Sequence, residues 1–148
     1  MVSFPLVLAS VFVVNPIAAL AFTPSAHAEP DPDQQFVTTE SRKVRCIVQP
    51  DNVGCQSNSV DGFMNAPVEH GYRDNNVWVD AGGGPLRWNQ SNMPSTDYAA
   101  PQNDLVLTYG QVFHLKGWTV EPNSTGTRFT NDVSGHGMFV SVAAVTAF

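Results

Sequence analysis

Positive charge is scarce in this chain, and no charged residue of either sign precedes Glu29. Seven Lys and Arg stand against 13 Asp and Glu, a formal net charge of −6. No basic cluster exists beyond Arg42, Lys43 and Arg45, which excludes nucleic acid as a partner bound by phosphate neutralisation. The chain lacks the Ala/Glu/Lys/Leu richness of a coiled coil or helical bundle, and its apolar content excludes a wholly disordered tail. Outside the first segment no window keeps a 3.6-residue apolar period between caps, so no helix is predicted. No internal repeat of fixed period is present. Only two cysteines occur, too few to hold a metal by themselves.

What is present begins with an address. Val2 to Phe22 is an apolar run broken by Ser3, Pro5, Ser10, Asn15 and Pro16. It ends in Ser25-Ala26-His27-Ala28, followed by Glu29-Pro30-Asp31-Pro32-Asp33. An apolar stretch closed by Ala-x-Ala is the pattern of a secretory signal peptide, with cleavage predicted after Ala28. No Lys or Arg precedes the run, a departure from the usual basic start, so the true start codon lies upstream or the signal is atypical. An uncleaved membrane anchor is the competing reading, because the run is about long enough to span a bilayer. The prolines, Asn15 and the small residues at its end favour cleavage. The absence of a nearby cysteine excludes a lipoprotein anchor. The expected organisation is a signal peptide over residues 1–28, an extended acidic Pro-rich linker over 29–35, and a single β-rich domain over 36–148. A domain of roughly 120 residues buries about two-thirds of its unfolded surface, enough for one core. The expected location is secreted or cell-envelope, without stable membrane insertion once the signal is removed.

Cys46 and Cys55 form an even, close pair, which in an exported chain reads as a disulfide. Val44, Cys46 and Val48 alternate with Arg45, Ile47 and Gln49, and Val53 and Cys55 alternate with Gly54 and Gln56. Pro50-Asp51-Asn52 between them carries turn chemistry. A hairpin there places Cys46 opposite Cys55 on the valine face. A redox pair is the other reading, but the spacing is not Cys-x-x-Cys and no helix start lowers a thiol pKa.

Short β-prone runs follow: Phe36 to Thr39, Val77 to Val79, Leu86 to Trp88, Leu105 to Tyr109, Gln111 to Leu115, Trp118 to Val120, Arg128 to Thr130 and Met138 to Val142. They are separated by turns such as Asp80-Ala81-Gly82-Gly83-Gly84-Pro85 and Pro122 to Gly126. The glycines of the first turn lie between strands with no helix after them, so they make no phosphate loop. Asn89 to Asp104 reads as a long polar loop. Many short strands with frequent turns predict an all-β fold: a small antiparallel sandwich, roll or barrel.

Phe36-Val37-Thr38-Thr39, Val44-Arg45-Cys46 and Val53-Gly54-Cys55 open the domain. Leu107-Thr108-Tyr109-Gly110, Gly117-Trp118, Arg128-Phe129-Thr130-Asn131 and Gly135-His136-Gly137-Met138-Phe139-Val140-Ser141 close it. This set resembles a family of small secreted actinobacterial, mycobacterial-like proteins. The similarity runs from about Phe36 to Phe148 and is weakest between Gly62 and Pro101. It implies a secreted or envelope domain and carries over no catalytic residue. Relatives often have a second cysteine pair in the C-terminal half. This chain has none there, so that half must hold by packing.

Candidate chemistry is thin. Asp132, Ser134 and His136 lie within five residues, and a small hydrolase or glycan-acting enzyme would have to use them. Triad members normally come from separate elements, and Ser134 is not in Gly-x-Ser-x-Gly. The favoured reading is a tight loop in which Asn131 and Asp132 bond nearby backbone, Gly135 and Gly137 take positive φ, and His136 packs or caps. Metal ligation could involve His136 with Asp132, His70 with Glu69, or His114, predicted to point outward, but no ligand spacing supports it. Asp74, Asp80, Asp97 and Asp104 sit in turns or polar loops, where carboxylates are solvated or bond backbone amides. Trp78, Trp88, Trp118, Tyr72, Tyr98 and Tyr109 could stack on a saccharide or a protein. Trp118 shares a face with Val120 and is expected in the core; Trp78 faces away from Val77 and Val79, so Trp78 or Trp88 is expected at the surface. The sequons Asn89-Gln90-Ser91 and Asn123-Ser124-Thr125 act only in a eukaryotic secretory route, and the actinobacterial resemblance makes both accidental.

The sequence therefore predicts an exported, disulfide-stapled β domain, non-enzymatic and without cofactor or metal. It acts as an interaction module toward a protein or a cell-wall glycan, with Trp78, Trp88 and His136 as the candidate binding residues. A small extracellular hydrolase and a structural envelope component are the alternatives.

Overall fold

The computed structural model describes residues 31–93 and 103–148. The predicted signal peptide and its cleavage site, with Asp97 and Tyr98, lie outside the described residues. Among the described residues no helix is long and apolar enough to cross a membrane.

The N-terminal half contributes β1 (Gln35–Thr39), β2 (Val44–Val48), β3 (Asn52–Ser57), β4 (Val68–Glu69), β5 (Tyr72–Arg73), β6 (Asn76–Asp80) and β7 (Arg87–Asn89). After Asp104 come β8 (Leu105–Leu107), β9 (Phe113–Leu115), β10 (Trp118–Asn123), β11 (Gly126–Asn131), β12 (Gly137–Val140) and β13 (Val145–Ala147). They form a six-stranded sheet in the order β7-β6-β3-β2-β1-β8, a five-stranded sheet β13-β12-β11-β10-β9, and a two-stranded hairpin β4-β5. The architecture is sandwich-like. Several details differ from the expectations: the β4–β5 hairpin was not expected, and Pro122, Asn123 and Gly126, expected in a turn, lie in β10 and β11. The expected all-antiparallel pairing is broken once, because β1 and β8 run parallel with Val37 opposite Leu105. The chain leaves the sheet at edge strand β7 and re-enters at the other edge, and that return direction fixes the pairing. Residues 31–34, expected to be extended, close a turn in which the Gln34 N–H donates to the Asp31 carbonyl.

Local chemistry explains the hairpins. Pro50 and Asp51 occupy the bend between β2 and β3, and the Gln49 N–H donates to the Asn52 carbonyl at 2.9 Å. Register then places Cys46 directly opposite Cys55, and they are joined, with Cα atoms 4.1 Å apart. Counting from the bonded Gln49–Asn52 pair makes this a non-hydrogen-bonded position, where the two backbones approach closest. Between β9 and β10, Lys116 and Gly117 both adopt positive φ, 52° and 83°, as a tight turn matched to strand twist requires.

The core lies between the inner faces. Val37, Val48, Val53, Val77, Val79 and Leu107 meet Trp118, Val120, Phe129, Met138 and Val140, all buried. Each such side chain contributes about 1.5–3 kcal/mol of transfer free energy on burial. Phe63, from the loop after β3, is fully buried as a plug against the core.

The outer face of the six-stranded sheet is also covered in part. Every residue of β2 is buried. Arg45 reaches Asp104 with two bonds, Nε to Oδ2 at 2.6 Å and Nη2 to Oδ1 at 3.0 Å. The Met93 N–H donates to Gln56 Oε1, and the Asn75 and Asn76 amides donate to the Ser91 carbonyl. Both ends of the connection between β7 and β8 are thus fastened across this face.

Candidate binding surfaces

Three places can be built up from their residues: the loop after β11, a hollow at the β6–β7 edge, and a groove beside the β4–β5 hairpin.

In the loop, Asn131 acts as expected, its Oδ1 accepting from the Val133 and Ser134 N–H groups, each at 3.1 Å. Gly135 has φ 74°. Gly137 does not take positive φ; it is required because a Cβ there would sit 1.8 Å from the Phe129 carbonyl oxygen. Asp132 is not bonded to backbone through its side chain: its Oδ1 accepts from Thr119 Oγ1 at 2.6 Å. Ser134 Oγ donates to the Ala81 carbonyl. The exposed His136 ring lies against Gly83, and its Nδ1 is 3.2 Å from the Phe148 carbonyl oxygen. The three side chains therefore face three different partners. The contacts tie the loop to the β6–β7 turn and to the last residue, and the loop reads as a structural junction.

The other titratable candidates are dispersed. His70 sits in the β4–β5 turn at φ 53°, and His114 is exposed with Nδ1 3.2 Å from Thr119 Oγ1. Among the described residues no three His, Cys, Asp or Glu side chains converge. Two of the acids expected in solvated turns are instead buried, Asp104 against Arg45 and Asp74 at the base of the β4–β5 hairpin, its N–H donating to the Pro67 carbonyl. Desolvation raises the Asp74 pKa above the ordinary carboxyl value, and the nearby Glu69 raises it further. Asp80 pairs with Arg87 at the surface.

Trp118 is core, its indole Nε1 donating to the Gln49 carbonyl at 2.8 Å. Trp78 and Trp88 are both half-buried but differ in direction. Trp88 stands opposite Val77 and so points inward, where it meets Phe63 edge-on with ring centroids 6.0 Å apart. Trp78 stands opposite Gly54 and Arg87 on the outer face. Both line a hollow of about 300 Å³ with Gln49, Asn52, Arg87 and Asn89.

The groove was not foreseen. Val60, Met64, Val68 and Tyr72 are 97%, 62%, 58% and 69% exposed, half of the strongly exposed large apolar side chains among the described residues. They line a groove of about 580 Å³ with Ser59, Asp61, Arg73 and Val142. Its walls are held. The Asn65 amide donates to the Val145 carbonyl and accepts from the Val145 N–H, both at 2.9 Å. The Met64 N–H donates to the Val142 carbonyl. The available signal was a set of apolar residues every fourth position in a stretch with no strand alternation, otherwise rich in Asp, Asn, Gly and Pro.

No protein-family model, curated protein or solved structure matches the chain.

Proposed function

We propose that this is an exported, non-enzymatic interaction module that docks a protein partner in the apolar groove beside the β4–β5 hairpin. The observation that carries the reading is the concentration of Val60, Met64, Val68 and Tyr72 on one surface. Monomeric soluble proteins rarely leave contiguous large apolar side chains facing water unless something covers them. The aromatic and Met content suits an interface core, and Asp61 and Arg73 supply a polar rim. The Ala-x-Ala terminus of the apolar leader and the Cys46–Cys55 bridge support export.

The test compares the chain with Met64→Asp/Val68→Asp in crosslinking against envelope and culture-filtrate proteins of the producing cell. A specific crosslinked protein should be lost in that variant and kept in Val133→Asp, which alters a valine that is just as exposed but isolated. Loss in both, or in neither, overturns the groove as the docking site. N-terminal sequencing of exported protein checks the leader: the expected first residue is Glu29, and an intact Met1 overturns cleavage.

A further inference from the structure

The hollow at the β6–β7 edge is a second surface, and its chemistry is unlike that of the groove. We infer that it is a binding site for a neutral saccharide, with Trp78 as the stacking platform and Gln49, Asn52 and Asn89 as hydroxyl partners. The inference does not rest on the groove.

The platform is set by register. Trp78 stands across from Gly54, and a Cβ on Gly54 would lie 2.5–2.6 Å from Cε3, Cζ3 and Cδ2 of the indole. Any other residue at position 54 would push the ring away. One face of the indole thus rests on bare backbone, which fixes its plane parallel to the sheet, while the side chain also lines the hollow. A flat, immobilised indole presents a π face to the C–H groups of a pyranose ring, and it loses little conformational freedom on binding. Trp88 borders the hollow, but its ring points to the inner face against Phe63, so Trp78 is the one aromatic platform.

The polar lining selects the ligand. Three side-chain amides, from Gln49, Asn52 and Asn89, border the hollow. Each offers paired donors and an acceptor, which match neighbouring hydroxyls. Asn52 Oδ1 is buried without a hydrogen-bond partner among the described residues. Rotation of that amide would let a ligand hydroxyl supply the missing donor, since an unpaired buried acceptor is a cost that binding can relieve. The Arg87 guanidinium is held by Asp80, so the hollow carries no net charge of its own, and the chain as a whole carries −6. That balance disfavours phosphates, acidic glycans and nucleic acid. The amide lining disfavours an apolar peptide. A volume of about 300 Å³ is at the small end of ligand sites and fits one or two sugar rings.

The experiment is titration of the nitrogen-labelled full-length chain with cellotriose, triacetylchitotriose and maltotriose, followed by amide and indole N–H chemical shifts. Oligogalacturonate is the anionic comparison. For at least one neutral trisaccharide, saturable shifts should centre on Trp78, Trp88 and Asn89 with a Kd of about 1 mM or tighter. Trp78→Ala should weaken that Kd about tenfold, and Asn89→Ala, an exposed position safe for folding, about threefold. Met64→Asp/Val68→Asp should leave it unchanged. Absence of shifts with all three sugars, equal affinity in Trp78→Ala and Asn89→Ala, or preference for oligogalacturonate would each overturn the assignment.

Discussion

The two sheets of the sandwich share one core but differ in how they treat their other face. The five-stranded sheet turns its outer face to water: His114, Glu121 and Arg128 are exposed there, and β10 and β11 alternate buried with exposed residues. The six-stranded sheet buries much of its outer face as well. Ile47, Asn76 and Arg45 are buried there, with Arg45 bonded to Asp104 and the Asn76 amide to the Ser91 carbonyl. It also carries the disulfide. The first design concentrates stability in a few large side chains, whereas the second spreads it over a covalent clip, a buried ion pair and amide-to-backbone bonds. Different perturbations should therefore damage each sheet.

The largest effect is expected in the sheet that has neither the disulfide nor the buried ion pair. Phe129 is fully buried at the centre of the five-stranded sheet. Phe129→Ala should cost about 3–5 kcal/mol, the range for removing a large core aromatic, read as a fall in the urea midpoint. A loss below about 1 kcal/mol would mean that this sheet has support beyond its core.

Next is the ion pair. Asp104→Ala leaves the guanidinium of Arg45, which is 8% exposed, without its bidentate carboxylate. Breaking a buried pair on one side costs about 3 kcal/mol or more. Arg128→Ala on the solvated face removes a guanidinium stacked 3.6 Å over the Phe148 ring and should cost only about 0.5–1 kcal/mol. Equal losses in the two variants would erase the distinction between a covered and a solvated face.

Reduction of Cys46–Cys55 follows. In the chain-entropy account, closing so short a loop contributes about 2.5–3 kcal/mol. A midpoint unchanged by reductant would show that the hairpin is held by its ladder alone. The same measurement on Phe129→Ala tests whether the two sheets unfold together, since additive losses are expected for distant sites.

The contrast between the sheets also explains what was legible in the sequence. Trp118, Val120 and Phe129 showed a period of two because one face is wet, and both strands include those positions, but they extend through Pro122, Asn123 and Gly126, which read as turn residues. The Cys46–Cys55 register was legible because turn residues and alternation agreed. The outer face of β2 was not. Arg45 and Ile47 alternate with the valine face in the sequence, yet both are buried, Arg45 against the remote Asp104, and no local pattern encodes a cover. Asp104 was misplaced for the same reason, its partner lying 59 residues away. Trp78 and Trp88 were recognised as candidates, but their opposite directions depend on the β6–β7 register. The groove was missed because strands of two residues are too short to show any period, and its apolar side chains converge only once Phe63 and Asn65 anchor the loop.

Last comes a small gain, at Asp74 between β5 and β6. It holds the base of the groove through its backbone, its carbonyl accepting from the Phe63 N–H and its own N–H donating to the Pro67 carbonyl. Its side chain contributes nothing visible to that task, and Oδ1 is buried with no partner among the described residues. Burial, then Glu69, raises its pKa, so the folded state keeps the proton to higher pH than the unfolded chain, where the group ionises near pH 4. The sign follows: this carboxyl's stabilising contribution is complete below about pH 4 and is lost as pH rises through the folded value. Asp74→Asn should therefore stabilise the protein at neutral pH, by about 1 kcal/mol or roughly 3–6 °C in Tm, while wild type and variant converge near pH 3.5. Glu69→Gln should reproduce part of the gain. A lower Tm for Asp74→Asn at pH 7, or an unaltered pH slope, would show that the ionised carboxylate has a stabilising partner. If the gain appears, the backbone of residue 74 is what the groove needs, and its charge is a cost that the surrounding contacts offset.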